Sequence, residues 1–163
     1  IMILNPPVPL SGLEFDLLLR LGMATLLGLL LGLDRELRGH AAGLRTHGLI
    51  CLAAAALTVS VLGLYTSMPM DNGDPLRLFE AAGAFVGIVG AGLIVFNKGQ
   101  VHNITTAVHL FLTTVIGVAC GAAQWPLVAT AAPIGLVVLS LLPFLERKAA
   151  RHGIKGDNDG PEA

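Results

Sequence analysis

Five long runs of apolar residues, each close to the length that crosses a lipid bilayer, constrain this chain more than any other feature. Only 13% of its residues are charged and 54% are hydrophobic, whereas a soluble domain carries charge on about a quarter of its residues. A segment in lipid must satisfy its own backbone hydrogen bonds, so each run is predicted to be a helix. The predicted fold class is therefore all-α, a bundle of five transmembrane helices. The runs cover residues 14–33, 46–64, 79–96, 104–121 and 127–145.

The Lys and Arg residues outside these runs are distributed unevenly between the two sides of the predicted bundle. Eight of these nine lie after the first, third or fifth run, and only Arg77 lies on the other side, while the tenth basic residue, Arg20, is inside the first run. Because basic residues near helix ends stay in the cytoplasm, we predict that the N-terminus is outside and the C-terminus inside. The predicted domains are an extracytoplasmic segment at 1–13, a transmembrane domain at 14–147, and a short, partly disordered cytoplasmic tail at 148–163.

This topology brings the end of the first helix and the starts of the second and fourth helices together at the cytoplasmic side. Charged groups at membrane depth normally pair or line a cavity, so we expect a ligand or ion site there. Arginines and helix N-termini favour an anion, such as phosphate or a lipid headgroup, over Mg²⁺, which prefers carboxylates. The candidate residues are Asp34, Arg35, Glu36, Arg45, Thr46, His47, Thr105, Thr106 and His109.

The alternative for the same residues is purely structural. An ion pair between Asp34 and Arg45 would fix the first helix to the second. In this interpretation Thr46 and Asn103 act as helix caps.

A second polar group is predicted at the outer side of the bundle. Asp16 and Arg20 are four residues apart with the acid first, which is a favourable pairing on a helix. Arg77 and Glu80 begin the third helix at a similar depth. These four residues form either an outer gate, in which Arg20 meets Glu80, or a structural ion pair.

The sequence shows no enzyme signature. It contains no phosphate-binding loop, no Gly-x-Ser-x-Gly motif and no His-Glu-x-x-His motif, and no basic surface that would bind nucleic acid. His102 and His109 could sense protons or bind a metal, but they lack a third ligand at a zinc-site spacing. We favour the alternative for His109, a histidine whose polar atoms are satisfied beneath the cytoplasmic face. We expect no enzymatic activity and no cofactor. The sequence does not indicate whether the chain binds a metal ion.

Small residues recur at four-residue spacing, which places them on one helix face and allows close approach of another helix. They form either a homodimer interface or tight packing within one bundle. Cys51 and Cys120 are expected to be buried at opposite sides of the bundle, without a disulfide. The glycines concerned are Gly28, Gly32, Gly83, Gly87, Gly90, Gly92, Gly117 and Gly121.

Two motifs in particular resemble those of the MgtC/SapB family. Residues 32–36 (Gly-Leu-Asp-Arg-Glu) end the first helix, and residues 42–47 (Ala-Gly-Leu-Arg-Thr-His) open the second. Weaker similarities are found at 74–77, 90–92 and 105–107. The resemblance covers roughly residues 14–147 and identifies a short form without the soluble C-terminal domain of the best-known members.

The resemblance implies a multi-pass protein of the bacterial inner membrane. Its expected role is in magnesium homeostasis, or in adaptation to magnesium limitation and survival inside a host. Such a protein would regulate a membrane partner and bind a small ion or anion in the cytoplasmic cluster. The alternative is an ion or solute transporter, or a channel, that works as a dimer. The expected partners are the lipid bilayer, a second copy of the chain, and a membrane protein.

Overall fold

The structure, a computed structural model, describes residues 15–40, 42–67, 74, 76–97 and 100–138. Within these residues the chain is helical apart from one short β-hairpin, so the prediction of an all-helical fold with five helices is confirmed in outline. The predicted segments 1–13 and 148–163 lie outside the described residues. The elements are α1 (Phe15–Leu37), α2 (Leu44–Ser67), α3 (Arg77–Leu93), β1 (Val95–Asn97), β2 (Gln100–His102), α4 (Ile104–Gly121) and α5 (Trp125–Val138).

Three of these helices, α1, α2 and α4, are long and apolar enough to cross a membrane by length and composition. Many of their large apolar side chains lie on the outside of the bundle, among them Leu26 (52% exposed) and Phe111 (53% exposed). A protein in water would not expose so many large apolar groups. The arrangement is that of a membrane protein.

A tight turn ends α1 and starts the return of the chain. Gly39 has a φ of +68°, and its N–H donates to the carbonyl oxygen of Glu36, while the N–H of His40 donates to that of Arg35. This is the Schellman pattern, in which a left-handed residue, usually glycine, closes the last helical turn. The turn allows α2 to pack antiparallel against α1.

Glycines let α1 approach α2 closely. A Cβ added to Gly28 would lie 2.6 Å from the Cβ of Cys51, and one added to Gly32 would lie 2.7 Å from the Cα of Leu44. Any larger residue at these positions would overlap α2. The two glycines therefore pack within one chain.

Two glycines of α4 likewise allow a close approach of helices, on another side of α2. A Cβ on Gly117 would lie 2.5 Å from the carbonyl oxygen of Cys51, and a Cβ on Gly121 would lie 2.5 Å from that of Ala55. The contacts advance by four residues in the same chain direction on both helices, from Gly117 to Gly121 on α4 and from Cys51 to Ala55 on α2. The two helices are therefore parallel. This matches the predicted chain path, in which both helices begin at the same end of the bundle.

The glycines of α3 differ from those of α1 and α4. A Cβ on Gly83, Gly87 or Gly92 would meet nothing within 4 Å, and only Gly90 faces a neighbour, with its added Cβ 3.2 Å from that of Ala107. The helix packs mainly against α4 and touches α2 little. One face of α3 is therefore open along its length.

The core between α1, α2, α4 and α5 is apolar and closely packed. Both cysteines belong to it and are free, so their predicted burial is confirmed. The prediction that they lie at opposite sides is wrong, because α4 is shifted along α2 and Gly117, one turn before Cys120, packs on Cys51. The buried members of this core are Ala24, Leu31, Cys51, Ala55, Ile116, Ala119, Cys120, Val128 and Ala132.

The β-hairpin corrects the predicted third helix, which was expected to reach residue 96. α3 ends at Leu93, and β1 pairs antiparallel with β2 from Val95, opposite His102, to Asn97, opposite Gln100. A β-branched and an aromatic residue at 95 and 96 favour extended backbone, and the Asn-Lys-Gly sequence that follows favours a turn.

Candidate functional site

Four polar side chains are buried together where α1 ends and where α2 and α4 begin. They are Arg35 (4% exposed), His47 (0%), Thr106 (0%) and His109 (7%). We refer to them as the buried polar cluster. Arg35 comes from the last turn of α1, His47 from the first turn of α2, and Thr106 and His109 from the first two turns of α4. All four were among the nine candidates for the cytoplasmic-side site.

Direct contacts hold the cluster together. The Nη2 of Arg35 donates a hydrogen bond to the hydroxyl oxygen of Thr106, which joins α1 to α4. The rings of His47 and His109 meet edge to face, with centroids 6.3 Å apart and planes at 82°. Both rings lie within electrostatic reach of Arg35. The four residues therefore form one site.

The hydrogen bond of His47 fixes which of its ring nitrogens carries a proton. Nδ1 lies 2.9 Å from the carbonyl oxygen of Gly43. A carbonyl can only accept, so Nδ1 must carry the hydrogen, and in the neutral ring Nε2 is left with a lone pair.

Three buried atoms of the cluster have no hydrogen-bond partner: Nε of Arg35, Nε2 of His47 and Nδ1 of His109. Nearly all buried polar groups in proteins are bonded, and an unbonded one costs free energy. Arg35 also has no ion pair with a carboxylate among the described residues. It lies at the N-termini of α2 and α4, where unbonded N–H groups already carry partial positive charge. The cluster therefore lacks a negative charge.

The two nearby acids are engaged elsewhere. Asp34 pairs with Arg38, with Nη2 of the arginine 2.9 Å from Oδ1 of the aspartate. The predicted pair between Asp34 and Arg45 does not form, and Arg45 is exposed. Glu36 is exposed and accepts a hydrogen bond from the backbone N–H of Leu44, at 3.1 Å. It caps the first turn of α2 from the end of α1.

The remaining candidates of this group lie outside the buried polar cluster. Thr105 is exposed and Thr46 is half-buried. Thr46 is not a cap, because α2 begins two residues earlier, at Leu44. Asn103 precedes α4 with a φ of +66°, but its side chain makes no capping bond. It donates instead to the carbonyl oxygen of Leu93, at 3.1 Å, and so ties the end of α3 to the start of α4.

At the other end of the bundle, Arg20 (3% exposed) is fully bonded. Its Nη2 and Nε lie 2.6 and 2.7 Å from Oδ2 of Asp16, and its Nη1 donates to the carbonyl oxygen of Gly121, at 2.9 Å. The expected pair of Asp16 with Arg20 therefore forms. Arg77 and Glu80 are exposed, and the expected contact of Arg20 with Glu80 does not form. A gating role for these residues stays a prediction.

The described part of the chain holds no group of three or more His, Cys, Asp or Glu side chains that could bind a metal ion. His102 is exposed on β2, whereas His109 is buried on α4. The buried polar cluster contains no carboxylate, which is the ligand that Mg²⁺ prefers.

Two partners in these sites were not anticipated. Arg38, the partner of Asp34, lies four residues after it, and this is the same spacing that identified Asp16 and Arg20. The i, i+4 rule could have found it. The bond from Arg20 to the carbonyl oxygen of Gly121 could not be predicted from the sequence, because every residue has the same backbone carbonyl.

The comparisons with known proteins agree on one family. The sequence profile of the MgtC family matches residues 21–148. The chain is 32% identical to Protein SapB of Bacillus subtilis, over 82% of the chain and 59% of that protein. It is 33% identical to Protein MgtC of Brucella abortus, over 80% of the chain and 54% of that protein.

A further relative is the "Putative magnesium transporter YhiD" of Escherichia coli K12, 31% identical over 77% of the chain and 60% of that protein. The chain thus spans between half and two thirds of the length of these relatives. No solved structure matches it. The profile and the relatives both cover most of the chain, and the chain belongs to the MgtC family.

Proposed function

We propose that this protein is a multi-pass protein of the bacterial inner membrane that acts in magnesium homeostasis as a regulator of a membrane partner. In this proposal it binds a small anion in the buried polar cluster and does not itself carry Mg²⁺ across the membrane. Membership of the MgtC family and a relative named for magnesium transport support the link to magnesium. The choice of a regulatory role rests on the chemistry of the cluster.

The proposed topology has five spans, with the N-terminus outside and the buried polar cluster at the cytoplasmic side. Three helices of spanning length support the membrane assignment. The end of α1 meets the start of α4 at Arg35 and Thr106, and the end of α3 meets it at Leu93 and Asn103. The excess of Lys and Arg in the segments at this end favours the cytoplasm for it.

The observation that carries the proposal is the buried guanidinium of Arg35. It has no carboxylate partner among the described residues, and its Nε has no hydrogen bond. An uncompensated charge at membrane depth is costly, and a bound anion would remove that cost. A divalent cation would add a second positive charge beside the first, in a site without a carboxylate ligand. The site therefore suits an anion.

The packing between the two polar ends favours regulation over transport through a single chain. Between Arg20 and Arg35 the interior is filled by the apolar core around Cys51 and Cys120. Gly28 and Gly117 bring the helix backbones too close for an added Cβ. A hydrated path for ions would need free polar groups along its length, whereas the buried hydroxyls of Thr58, Thr113 and Thr114 donate to carbonyls of their own helices.

A dimeric transporter is the second candidate, and the open face of α3 favours it. Gly83 and Gly87 face no neighbour within 4 Å of an added Cβ, and helices with such faces can pack closely across an interface. A pore between two copies would bypass the closed interior. Dimerisation through this face is part of the alternative proposal.

The test combines flux and growth. Purified protein in liposomes is expected to give no Mg²⁺ flux above that of empty liposomes, while wild-type protein restores growth of a deletion strain in low magnesium. Arg35→Gln is expected to abolish that rescue at equal protein level. Arg38→Gln, the same change one turn away and outside the buried polar cluster, is the matched control and should rescue. Mg²⁺ flux that depends on wild-type protein would contradict the proposal.

A further inference from the structure

The buried polar cluster presents both hydrogen-bond donors and an acceptor, which narrows the class of anion that can bind there. Nε of Arg35 can only donate. Nε2 of His47 can only accept while the ring is neutral, because Nδ1 donates to Gly43. A second proton on that ring would place a cation beside the guanidinium of Arg35, in a site sealed from water. A ligand that binds while the ring of His47 is neutral must therefore accept from Arg35 and donate to His47.

We propose that the buried polar cluster binds a phosphate group that carries at least one P–OH, either inorganic phosphate or a phosphate monoester such as the headgroup of phosphatidic acid. An unprotonated oxygen accepts from Arg35, and the P–OH donates to Nε2 of His47. Nδ1 of His109 completes the site as donor or acceptor, according to its tautomer. This inference rests on the anion site of the proposed function and names its ligand.

Other anions match the cluster less well. Sulfate has the same size and shape as phosphate but no proton at neutral pH, so it would place an oxygen lone pair against that of His47. The same mismatch excludes phosphate diesters, which have no P–OH.

Arg35 keeps its bond to Thr106 in this proposal. The hydroxyl oxygen of Thr106 accepts from Nη2 of Arg35, and Nε is the unbonded donor for a phosphate oxygen. The N–H groups in the first turns of α2 and α4 point towards the same end of the bundle and add a favourable field for an anion. Binding therefore gives the unbonded Nε of Arg35 a charged acceptor.

The test is equilibrium binding to the full-length protein in nanodiscs of phosphatidylcholine, measured by isothermal titration calorimetry at neutral pH and constant ionic strength. Sodium phosphate and sodium sulfate are compared directly. We expect saturable binding of phosphate, and sulfate binding weaker by about tenfold or more, the loss expected for an unmatched buried hydrogen bond to a charged group. Equal affinities would overturn the proposal, and so would the absence of binding by phosphate, sulfate and phosphatidic acid alike.

A second arm separates the two sources of the phosphate group. Nanodiscs that contain phosphatidic acid are compared with nanodiscs of phosphatidylcholine alone. If phosphatidic acid competes with inorganic phosphate, both sources reach the site. Saturable binding of phosphatidic acid without any binding of inorganic phosphate assigns the site to the lipid. Both results support the proposal.

Variants connect the binding to named atoms. Arg35→Gln is expected to weaken phosphate binding by about tenfold or more, and Arg35→Lys, which keeps the charge but loses Nε, provides a second variant if the first does not fold. His47→Gln carries an amide that can accept or donate, so the preference for phosphate over sulfate should fall to about twofold or less. Arg38→Gln serves as the control and should keep the wild-type preference.

Failure of this inference can be told apart from failure of the proposed function. If phosphate, sulfate and phosphatidic acid all fail to bind, but Arg35→Gln still abolishes rescue in low magnesium and no flux is seen, the phosphate ligand is wrong and the regulatory role stands. If wild-type protein carries Mg²⁺ across the membrane, the regulatory role is wrong, whether or not calorimetry detects phosphate binding.

Discussion

The two buried arginines of α1 lie near opposite ends of one helix and have opposite surroundings. Arg20 is bonded to the carboxylate of Asp16 and to the backbone carbonyl of Gly121. Arg35 is bonded to the neutral hydroxyl of Thr106, and its Nε has no partner. They are 3% and 4% exposed, so the difference lies in their partners and not in their depth.

The positions of the two arginines relative to α4 reinforce this difference. Arg20 donates to a carbonyl in the last turn of α4, where the helix dipole is negative and favours a cation. Arg35 lies at the first turn of the same helix, where the dipole opposes a cation. The fold thus stabilises the charge of Arg20, whereas Arg35 has no bonded carboxylate among the residues that the structure describes. Buried groups that a fold does not satisfy are candidates for function rather than stability.

The largest expected effect separates the two arginines by their contributions to stability. Arg20→Met should lower the free energy of unfolding by about 2–3 kcal/mol, since it removes charge-assisted bonds and leaves the carbonyl of Gly121 unbonded. Arg35→Met should leave stability unchanged or raise it by about 1 kcal/mol, because it removes a buried charge without a carboxylate partner. Reversible unfolding in mixed SDS–detergent micelles measures both. Equal losses would mean that Arg35 has a counter-charge in the folded protein.

A smaller loss of stability is expected when a tightly packed glycine between the two arginines is replaced, and this change tests whether the interior is closed. Gly117→Ala places a Cβ 2.5 Å from the carbonyl oxygen of Cys51 and should cost about 1–3 kcal/mol through overpacking. Gly87→Ala, the matched control on the open face of α3, should be neutral or gain up to about 1 kcal/mol from helix propensity. The same unfolding assay applies. A neutral Gly117→Ala would mean that α2 and α4 are further apart and that the interior is open enough for a path.

Much of the fold could be predicted from the sequence because apolar runs and basic loops carry strong, local signals. Four helices were predicted with both ends within a few residues, and α5 with its start, while the meeting of the end of α1 with the starts of α2 and α4 followed from the chain path. The hairpin at residues 95–102 was missed because the apolar run continues to Phe96, past the end of α3. Hydrophobicity alone does not distinguish a helix end from a short strand.

The candidate site was found as a region but not as a set of contacts. The sequence places Arg35, His47, Thr106 and His109 at one end of the bundle, yet equally places Arg45 and Thr105 there. Which side chains point inward depends on helix rotation and offset, and these are set by close contacts such as that of Gly32 with Leu44. Such contacts depend on the whole bundle and leave no local pattern, so burial separates the residues only in the structure.

The smallest expected effect concerns Asp34, the acid that could most easily supply the missing charge. In the structure its ion pair is with Arg38, at 2.9 Å, and both side chains are partly exposed, at 21% and 25%. Asp34→Asn should therefore cost only about 0.3–0.5 kcal/mol, as for other i, i+4 pairs on a helix surface. A double-mutant cycle with Arg38→Gln measures the coupling directly. If Asp34→Asn costs as much as Arg20→Met, and the cost vanishes in an Arg35→Met background, Asp34 is the counter-charge of Arg35. The two ends of α1 would then be alike, and no external anion would be needed.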